Sequence, residues 1–256
     1  MGDVNRSTPC YSIHMDKMTC VKAIFFDLYN TLARFSPSRE AIQAEACAAF
    51  GYTIAPAGIG RGYLKADAFM AAENARSQVQ TRTGTAQTSF FTEYERLVLE
   101  GAGIDVPPST AIKIWEQVLR IPYAMALFED VPEILPRLRS ADYKIGIISN
   151  MNKSGTQLTQ EMGLDLYADF VVTSGDVGLG KPHSPIYQAA LARANVLPGE
   201  AIHVGDSISG DVEGAMIAGI HPVFMNRYPD VPQDTPVPEG VPIVNSLADV
   251  QTILGL

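Results

Sequence analysis

Four short groups of polar residues follow apolar runs along this chain, and their side chains are of the types that bind phosphate and metal ions. In a parallel α/β sheet the carboxyl ends of the strands share one edge, so residues that follow separate strands can meet in one crevice. Order, spacing and a preceding apolar run agree for every group, which favours one shared site. The groups are Asp27-Leu28-Tyr29-Asn30-Thr31, Ser149-Asn150, Lys181-Pro182, and Gly205-Asp206-Ser207 with Asp211.

Asp27 stands directly after the apolar run 21–26, so its carboxylate is predicted to point into this crevice. A carboxylate there can attack phosphorus or carbon, and covalent catalysis of this kind splits one difficult displacement into two easier steps. An aspartate at a strand end can also simply cap the next turn. The other three groups favour the nucleophile. We expect the hydroxyl of Thr31 to orient Asp27 through a hydrogen bond.

Ser149 and Asn150 follow the second apolar run and precede a predicted helix, where hydroxyl and backbone donors suit an anion. Asn150 could equally be an ordinary helix N-cap. Lys181 lies in a loop whose glycines and prolines fix its path. We therefore interpret Lys181 as the cation that balances Asp27 and the substrate, rather than as a solvated surface lysine.

Asp206 and Asp211 add two carboxylates to the predicted site. With Asp27 they make three negative charges against Lys181 alone, a formal charge of −2 before an anionic substrate arrives. Like charges that close cannot all remain ionised in a crevice without compensation. Mg²⁺ removes the deficit and prefers oxygen ligands, so the sequence predicts Mg²⁺ as cofactor.

The four groups together resemble those of the haloacid dehalogenase-like hydrolase superfamily over residues 22–224. Most members are magnesium-dependent phosphatases, and a smaller branch are true 2-haloacid dehalogenases. The resemblance implies a nucleophilic Asp27, a phosphate-binding Ser149, a charge-balancing Lys181 and acidic metal-site residues. It assigns the metal ligands to Asp27, the main-chain carbonyl of Tyr29 and Asp206, with Asp211 in support.

Tyr29 departs from the phosphatase pattern, in which a second aspartate occupies this position and protonates the leaving alcohol. General acid–base help of that kind contributes on the order of 10²–10⁴-fold. A halide leaving group needs no proton, and the resemblance places a tyrosine here in the dehalogenase branch. Asp206 and Ile208 point the other way, because that branch works without metal and carries Ser and Asn at these positions.

The elements that must position these residues alternate along the chain. Short apolar runs at 21–26, 143–148, 170–172, 201–204 and 221–225 predict buried strands separated by helical segments. Such alternation predicts an α/β fold with a doubly wound, Rossmann-like parallel sheet. We expect His203 to belong to its strand rather than to a metal site. A final helix is predicted over 246–254.

Residues 35–122 interrupt this alternation and show helical patterns at 38–50, 90–99 and 110–119. We predict an inserted helical cap over 35–122 and a core domain made of 18–34 and 123–256. The polar stretch 75–89 reads as a mobile loop. Residues 1–17 lack periodicity, and we expect either a disordered tail or a misassigned start there.

Composition restricts the functional class. The chain has 256 residues, 46% of them hydrophobic, and a net charge of −9. A basic nucleic-acid or anionic-membrane surface is therefore not expected, and a small diffusible substrate is favoured. Three cysteines without CxxC spacing suggest free thiols. No apolar run has membrane-spanning length and no signal peptide is evident, so cytoplasm is the expected compartment.

Three readings stay open at this point. The first is a Mg²⁺-dependent phosphatase that forms an aspartyl-phosphate on a small phosphate ester, with weakened acid–base catalysis. The second is a metal-independent 2-haloacid dehalogenase that forms an aspartyl ester, with Arg39 or Arg61 holding the substrate carboxylate. The third is a catalytically impaired phosphate-binding protein. Four arginines of the cap are candidate anion contacts, namely Arg39, Arg61, Arg76 and Arg82.

Overall fold

The computed structural model describes residues 21–77, 79–229 and 235–256. Its strands are β1 (Ala23–Phe26), β2 (Ala33–Ser36), β3 (Ala124–Leu127), β4 (Lys144–Ser149), β5 (Phe170–Thr173), β6 (Ala201–Gly205), β7 (His221–Met225) and β8 (Ile243–Val244). Six of these form one sheet in the order β5-β4-β1-β6-β7-β8, and every pairing in it is parallel. β2 and β3 pair antiparallel as a separate ribbon.

Helices connect the strands and cover both faces of the sheet. They are α1 (Arg39–Ala48), α2 (Pro56–Arg76), α3 (Gly84–Gly101), α4 (Pro108–Val118), α5 (Val131–Ser140), α6 (Gly155–Met162), α7 (Ser174–Val177), α8 (Ser184–Ala194), α9 (Gly214–Ile217) and α10 (Leu247–Ile253). A π-helical turn, Ile208–Glu213, precedes α9. In the described part of the chain, no helix is both long and apolar enough to cross a membrane.

Strand β1 shows why its residues form a central strand. Ile24 and Phe26 pack into the core on the side of α5 and α10, while Ala23 and Phe25 pack into the core on the side of α8. Alternate residues thus face opposite sides of the sheet, and both sides are buried. The continuous apolar run in the sequence follows from this double burial. The predicted parallel α/β sheet is confirmed.

Helices α1 to α4, which we call the helical segment, pack on one another through two apolar clusters of their own. α2 and α3 approach most closely at two glycines. A Cβ on Gly62 would lie 2.0 Å from the carbonyl oxygen of Val98, and one on Gly101 would lie 2.3 Å from the Cα of Gly62. These positions are closed to any side chain, so the glycines set the spacing of the two helices.

The structure corrects several expectations about elements. The 75–89 stretch is not one loop, because it contains the end of α2, a 3₁₀ turn at Val79–Thr81 and the start of α3 at Gly84. Two elements, α2 and the β2–β3 ribbon, were not predicted from the sequence. The ribbon residues are mostly half-exposed or exposed, so they lack the apolar run of a buried strand. The predicted tail at 1–17 lies outside the described residues.

Candidate active site

The site lies at the carboxyl edge of three adjacent strands, β4, β1 and β6. Asp27 directly follows β1, Ser149 is the last residue of β4, and Asp206 directly follows β6. Lys181 reaches the same edge from the loop between α7 and α8, and Asp211 from the π-helical turn. Sequence groups up to 184 residues apart thus meet where the parallel sheet brings its strand ends together.

The turn after β1 fixes the direction of Asp27. The amide of Asp27 still donates to the carbonyl of Val204 at 2.9 Å, so its backbone continues the sheet. The chain then reverses, with the amides of Leu32 and Ala33 both donating to the carbonyl of Leu28. Asn30 adopts the left-handed conformation at φ 61°, which asparagine tolerates better than most residues. Asp27 is left 7% exposed, at the wall of the site.

Lys181 joins two carboxylates through one ammonium group. Its Nζ lies 2.5 Å from Oδ1 of Asp27 and 2.5 Å from Oδ1 of Asp211. Its backbone is held by Asn150, whose Oδ1 accepts from the Lys181 amide at 2.6 Å and whose Nδ2 donates to the Lys181 carbonyl at 2.9 Å. A Cβ on Gly180 would come within 2.4 Å of Asn150 Oδ1, so glycine is required for this contact.

Asp211 is held from three directions. Besides Lys181, its Oδ1 lies 2.8 Å from Nε2 of His203, and its Oδ2 accepts from the Ser207 amide at 3.0 Å. A Cβ on Gly205 would lie 2.2 Å from Cγ of Asp211, so the glycine makes room for the carboxylate. Asp211 is therefore a fixed charge that positions Lys181.

Burial and charge move the pKa values of these carboxyl groups apart. Burial raises the pKa of Asp27 to about 6, against the lowering effect of Lys181. Burial and the charges of Asp27 and Asp211 raise the pKa of Asp206 well above its ordinary value. Burial also opposes ionisation of Asp211, but Lys181 and His203 outweigh it and lower the pKa. Ionisation of Asp206 is therefore unfavourable beside the two other carboxylates. A bound cation would offset this repulsion.

A divalent cation fits this donor set. One carboxylate oxygen from each of Asp27, Asp206 and Asp211 can be chosen so that all lie within 4.8 Å of one another. Hard oxygen donors suit Mg²⁺. Lys181 offsets only one of the three carboxylate charges. The site therefore keeps the excess of negative charge that the sequence predicts.

Tyr29 is packed as an aromatic residue. Its ring lies 4.6 Å from that of Phe35, measured between centroids, and Phe35 in turn lies 4.7 Å from Tyr123. Burial raises the pKa of the Tyr29 hydroxyl, while the charge of Arg39 acts in the opposite direction. The phenol therefore remains protonated at neutral pH and cannot act as a general base.

A cavity of about 1330 Å³ opens between this edge of the sheet and the helical segment. Tyr29, Lys181 and Asp206 line one side, and residues of α1 and α2 line the other. Arg39 at the start of α1 lies in this wall, with its Nη1 2.6 Å from Oδ2 of Asp67 and its guanidinium 4.4 Å from the ring centroid of Tyr63. The cavity can hold a small organic substrate against the carboxylates.

Most, but not all, of the residues predicted for the site make the contacts expected of them. Asp27, Lys181, Asp206 and Asp211 come together as expected, and Ser149 is buried at the end of β4. The side chain of Asn150 is committed to Lys181 rather than left for a ligand. The expectation for Thr31 is wrong, because its buried hydroxyl has no hydrogen-bond partner among the described residues. Its carbonyl instead accepts from Arg227 at 2.8 Å.

Two residues of the site region were missed from the sequence. His203 was assigned to its strand, and it does lie in β6, yet its ring also contacts Asp211. Arg227, just after β7, bonds the Thr31 carbonyl and makes a two-pronged ion pair with Asp130. The sequence could have indicated this contact of His203. Residues two apart in a strand face the same side of the sheet, so His203 faces the same side as Gly205, which lies against Asp211.

Comparison with known proteins agrees with this arrangement. The family model for haloacid dehalogenase-like hydrolases matches residues 21–219, and the chain belongs to this family. It is 32% identical over 133 residues to the mouse haloacid dehalogenase-like hydrolase domain-containing protein 3, a match that covers 52% of each chain. The match thus spans about half of that relative's length.

Relatives with different named activities also match. The chain is 29% identical to ribulose-1,5-bisphosphate 5-phosphatase of Halopiger xanaduensis, over 80% of this chain and 84% of that protein. The crystal structure of a 2-haloacid dehalogenase from Pseudomonas syringae pv. Tomato DC3000 superposes with a TM-score of 0.53 at 23% identity, covering 92% of this chain and 98% of the other. That likeness establishes the shared fold.

Proposed function

We propose that this hydrolase is a Mg²⁺-dependent phosphatase that transfers a phosphoryl group from a small phosphate ester to Asp27 and then to water. The observation that carries the proposal is the cluster of Asp27, Asp206 and Asp211 beside a single buried lysine. A metal-independent dehalogenase has no need of this carboxylate excess. The relatives named as phosphatases support the same reading.

Asp27 acts as the nucleophile in this proposal. Its Oδ attacks phosphorus, and the bond from phosphorus to the ester oxygen breaks with its electron pair on that oxygen. Water then attacks phosphorus and releases Asp27 and inorganic phosphate. The pKa of about 6 leaves Asp27 mostly ionised at neutral pH, as the attack requires.

The neighbouring residues bind and orient. Lys181 offsets the charge of Asp27 and of the phosphate, Asp211 and Asn150 hold Lys181 in place, and the Ser149 hydroxyl binds a phosphate oxygen. The metal ligands are Asp27, the carbonyl of Tyr29 and Asp206, with Asp211 in support. When bound there, Mg²⁺ supplies positive charge to the phosphoryl oxygens.

The helical segment covers the cavity as a cap in this proposal. Residues 35–122 would form the cap and 18–34 with 123–256 the core, so substrates enter between them. The proposed substrate is a small molecule rather than a nucleic acid or a membrane lipid. Cytoplasm stays a prediction from the sequence.

Tyr29 favours a second candidate, a 2-haloacid dehalogenase. Asp27 would then attack the carbon that bears the halogen, halide would leave with the bonding electrons, and water would hydrolyse the resulting ester. Of the two arginines suggested for the substrate carboxylate, Arg39 is paired with Asp67, whereas Arg61 lines the cavity and could bind it. Asp206 and Ile208 disfavour this reading, because a dehalogenase does not need the half-buried carboxylate of Asp206 and the side chain of Ile208 cannot hydrogen-bond water.

A grid of assays distinguishes the candidates. p-Nitrophenyl phosphate and 2-chloropropionate would each be tested with Mg²⁺ and with EDTA. The proposal expects phosphate release with Mg²⁺ only and no turnover of 2-chloropropionate. Chloride release that persists in EDTA would establish the dehalogenase instead.

Asp27→Asn is the control variant for the same grid, because an amide cannot form the covalent intermediate. We expect it to abolish turnover of every substrate while the far-ultraviolet circular dichroism is unchanged. Turnover at the wild-type rate in this variant would exclude Asp27 as nucleophile. No turnover of either substrate by the wild type, with phosphate binding retained, would favour the impaired phosphate-binding protein.

A further inference from the structure

Most of the cations that line the large cavity are already paired. Arg34 contacts Glu129 at 2.5 Å, and its guanidinium lies 5.2 Å from the ring centroid of Phe128. Arg39 and Arg227 each have both a carboxylate partner and an aromatic ring beneath the guanidinium. Lys181 has two carboxylates. The protein itself thus neutralises these four charges.

Among the described cations that line the cavity, Arg61 alone has no carboxylate partner. It is exposed in the second turn of α2, and the described part of the chain offers it no carboxylate within 4.0 Å and no ring for stacking. Two other arginines, Arg76 at the end of α2 and Arg82 before α3, differ from Arg61 because both form ion pairs with Glu73. Nothing in the described structure uses the charge of Arg61.

The wall around Arg61 leaves room for a ligand. Its neighbour Gly60 also lines the cavity, and a Cβ placed there would meet no atom within 4 Å. Three other lining residues of α2, Ala57, Ala68 and Ala71, are small, while Leu64 and Asp67 are larger. A guanidinium that faces open space can bind a carboxylate or a phosphate through two parallel N–H donors.

We propose that Arg61 binds a second anionic group of the substrate, so that the natural substrate is a phosphate ester with a carboxylate or a second phosphate at its far end. This inference rests on the proposed function, because it places the ester phosphate at Asp27. Arg61 is then a specificity-determining residue. It holds the end of the substrate that does not react.

The test compares substrates that differ only at the far end. n-Alkyl phosphates of increasing chain length would be matched with ω-carboxyalkyl phosphates, and α,ω-alkanediol bisphosphates would distinguish a phosphate from a carboxylate. The wild type should prefer one of the two anionic series, at the chain length that reaches from Asp27 to Arg61. Arg61→Met should lower kcat/KM for that compound about 10-fold, mainly through KM, and change the n-alkyl phosphates less than about 2-fold.

Arg76→Met is the matched control, because it removes an equal charge from the same helix outside the cavity lining. It should leave both series unchanged, and Arg61→Lys should restore part of the preference. Gly60→Leu should hinder the long anionic substrates more than p-nitrophenyl phosphate, since it fills the open space beside Arg61. An equal loss for all substrates in Arg61→Met would overturn the proposal.

A binding measurement separates this inference from the proposed function. Calorimetry with Asp27→Asn would compare ω-phosphonoalkanoates with n-alkyl phosphonates, which cannot be hydrolysed. Tighter binding of the phosphonoalkanoate that disappears with Arg61→Met supports the subsite even where the wild type hydrolyses no phosphate ester. Equal binding of the two series to Asp27→Asn would refute it.

Discussion

Tyr29 decides how well the proposed phosphatase can work. Its ring packs against that of Phe35 in a tilted arrangement, and burial raises the pKa of its hydroxyl. A protonated phenol can donate a hydrogen bond but cannot activate water as a base. The proposed enzyme should therefore prefer substrates whose leaving oxygen needs no proton. Its rate should fall steeply as the leaving-group pKa rises.

Tyr29→Asp tests this argument directly. If a carboxylate is all that is missing, the variant should hydrolyse alkyl phosphates faster, by up to about 10²-fold, while p-nitrophenyl phosphate gains less. The measurement is kcat/KM against leaving-group pKa, whose slope should become shallower. Tyr29→Phe is the control, since it keeps the ring contact with Phe35 and supplies no carboxylate.

A uniform change across all leaving groups would contradict the acid–base argument. Under the dehalogenase reading, the new charge should lower turnover of 2-chloropropionate instead. The two candidate functions thus predict opposite signs for one substitution.

The sequence predicted the residues of the site better than their contacts. The predicted residues Asp27, Lys181, Asp206 and Asp211 do come together. Strand order accounts for two of them, because Asp27 and Asp206 directly follow β1 and β6. The role of Asn150 was not predicted, since its bond to the Lys181 backbone depends on side-chain directions across two loops. The wrong expectation for Thr31 has the same cause. Thr31 lies only four residues after Asp27, but its hydroxyl is buried and has no hydrogen-bond partner among the described residues.

Among the elements, the predictable ones are those with a strong periodic signal. The buried strands of the sheet show continuous apolar runs, and α1 and α10 begin at capping serines, Ser38 and Ser246. α2 was missed because three glycines dilute its helical pattern. Gly62 is there for contact with α3, which a single sequence does not reveal.

A buried polar network of three residues joins three helices of the helical segment. Glu95 of α3 and Gln43 of α1 are fully buried, with Gln43 Nε2 2.5 Å from Glu95 Oε1. Tyr63 of α2 donates to Gln43 Oε1 at 3.1 Å. The second carboxyl oxygen of Glu95 has no partner among the described residues. Burial raises the pKa of Glu95 to about 7, although the bond from Gln43 favours the ionised form.

Glu95→Gln should change how stability depends on pH. The pKa of Glu95 is raised from 4.5 to about 7 in the folded protein, so its favourable contribution is complete below about pH 4.5 and is lost as pH rises to about 7. The amide mimics the protonated acid. The variant should therefore gain up to roughly 3 kcal/mol in unfolding free energy relative to wild type above pH 7, and little below pH 4.5.

Urea denaturation of both proteins between pH 4 and pH 8 measures this difference. Glu116→Gln, at an exposed position on α4, is the matched control for removing a glutamate from the helical segment. A difference between Glu95→Gln and wild type that does not vary with pH would show that folding does not change the pKa of Glu95.

At the scale of the whole molecule, the site concentrates negative charge in a protein that is already acidic. The chain carries a net charge of −9, and three of its carboxylates meet at one edge of the sheet. Burial and the charges of Asp27 and Asp211 both oppose ionisation of Asp206. Without a cation, Asp206 in the folded protein either takes up a proton or is repelled by these two carboxylates. The stability of the whole fold should therefore depend on what occupies this site.

We expect Mg²⁺ to stabilise the folded protein, because it binds the assembled site and not the unfolded chain. At a Mg²⁺ concentration 100 times the dissociation constant, the gain is about 2.7 kcal/mol. Thermal melts with MgCl₂, against NaCl at equal ionic strength to correct for general screening, measure it as a rise in Tm. Asp206→Asn should reverse the order: it should melt higher than wild type in EDTA, since one repelling charge is gone, yet gain little from Mg²⁺. A wild type that binds no Mg²⁺ at millimolar concentration by calorimetry would remove the metal from the mechanism and favour the dehalogenase.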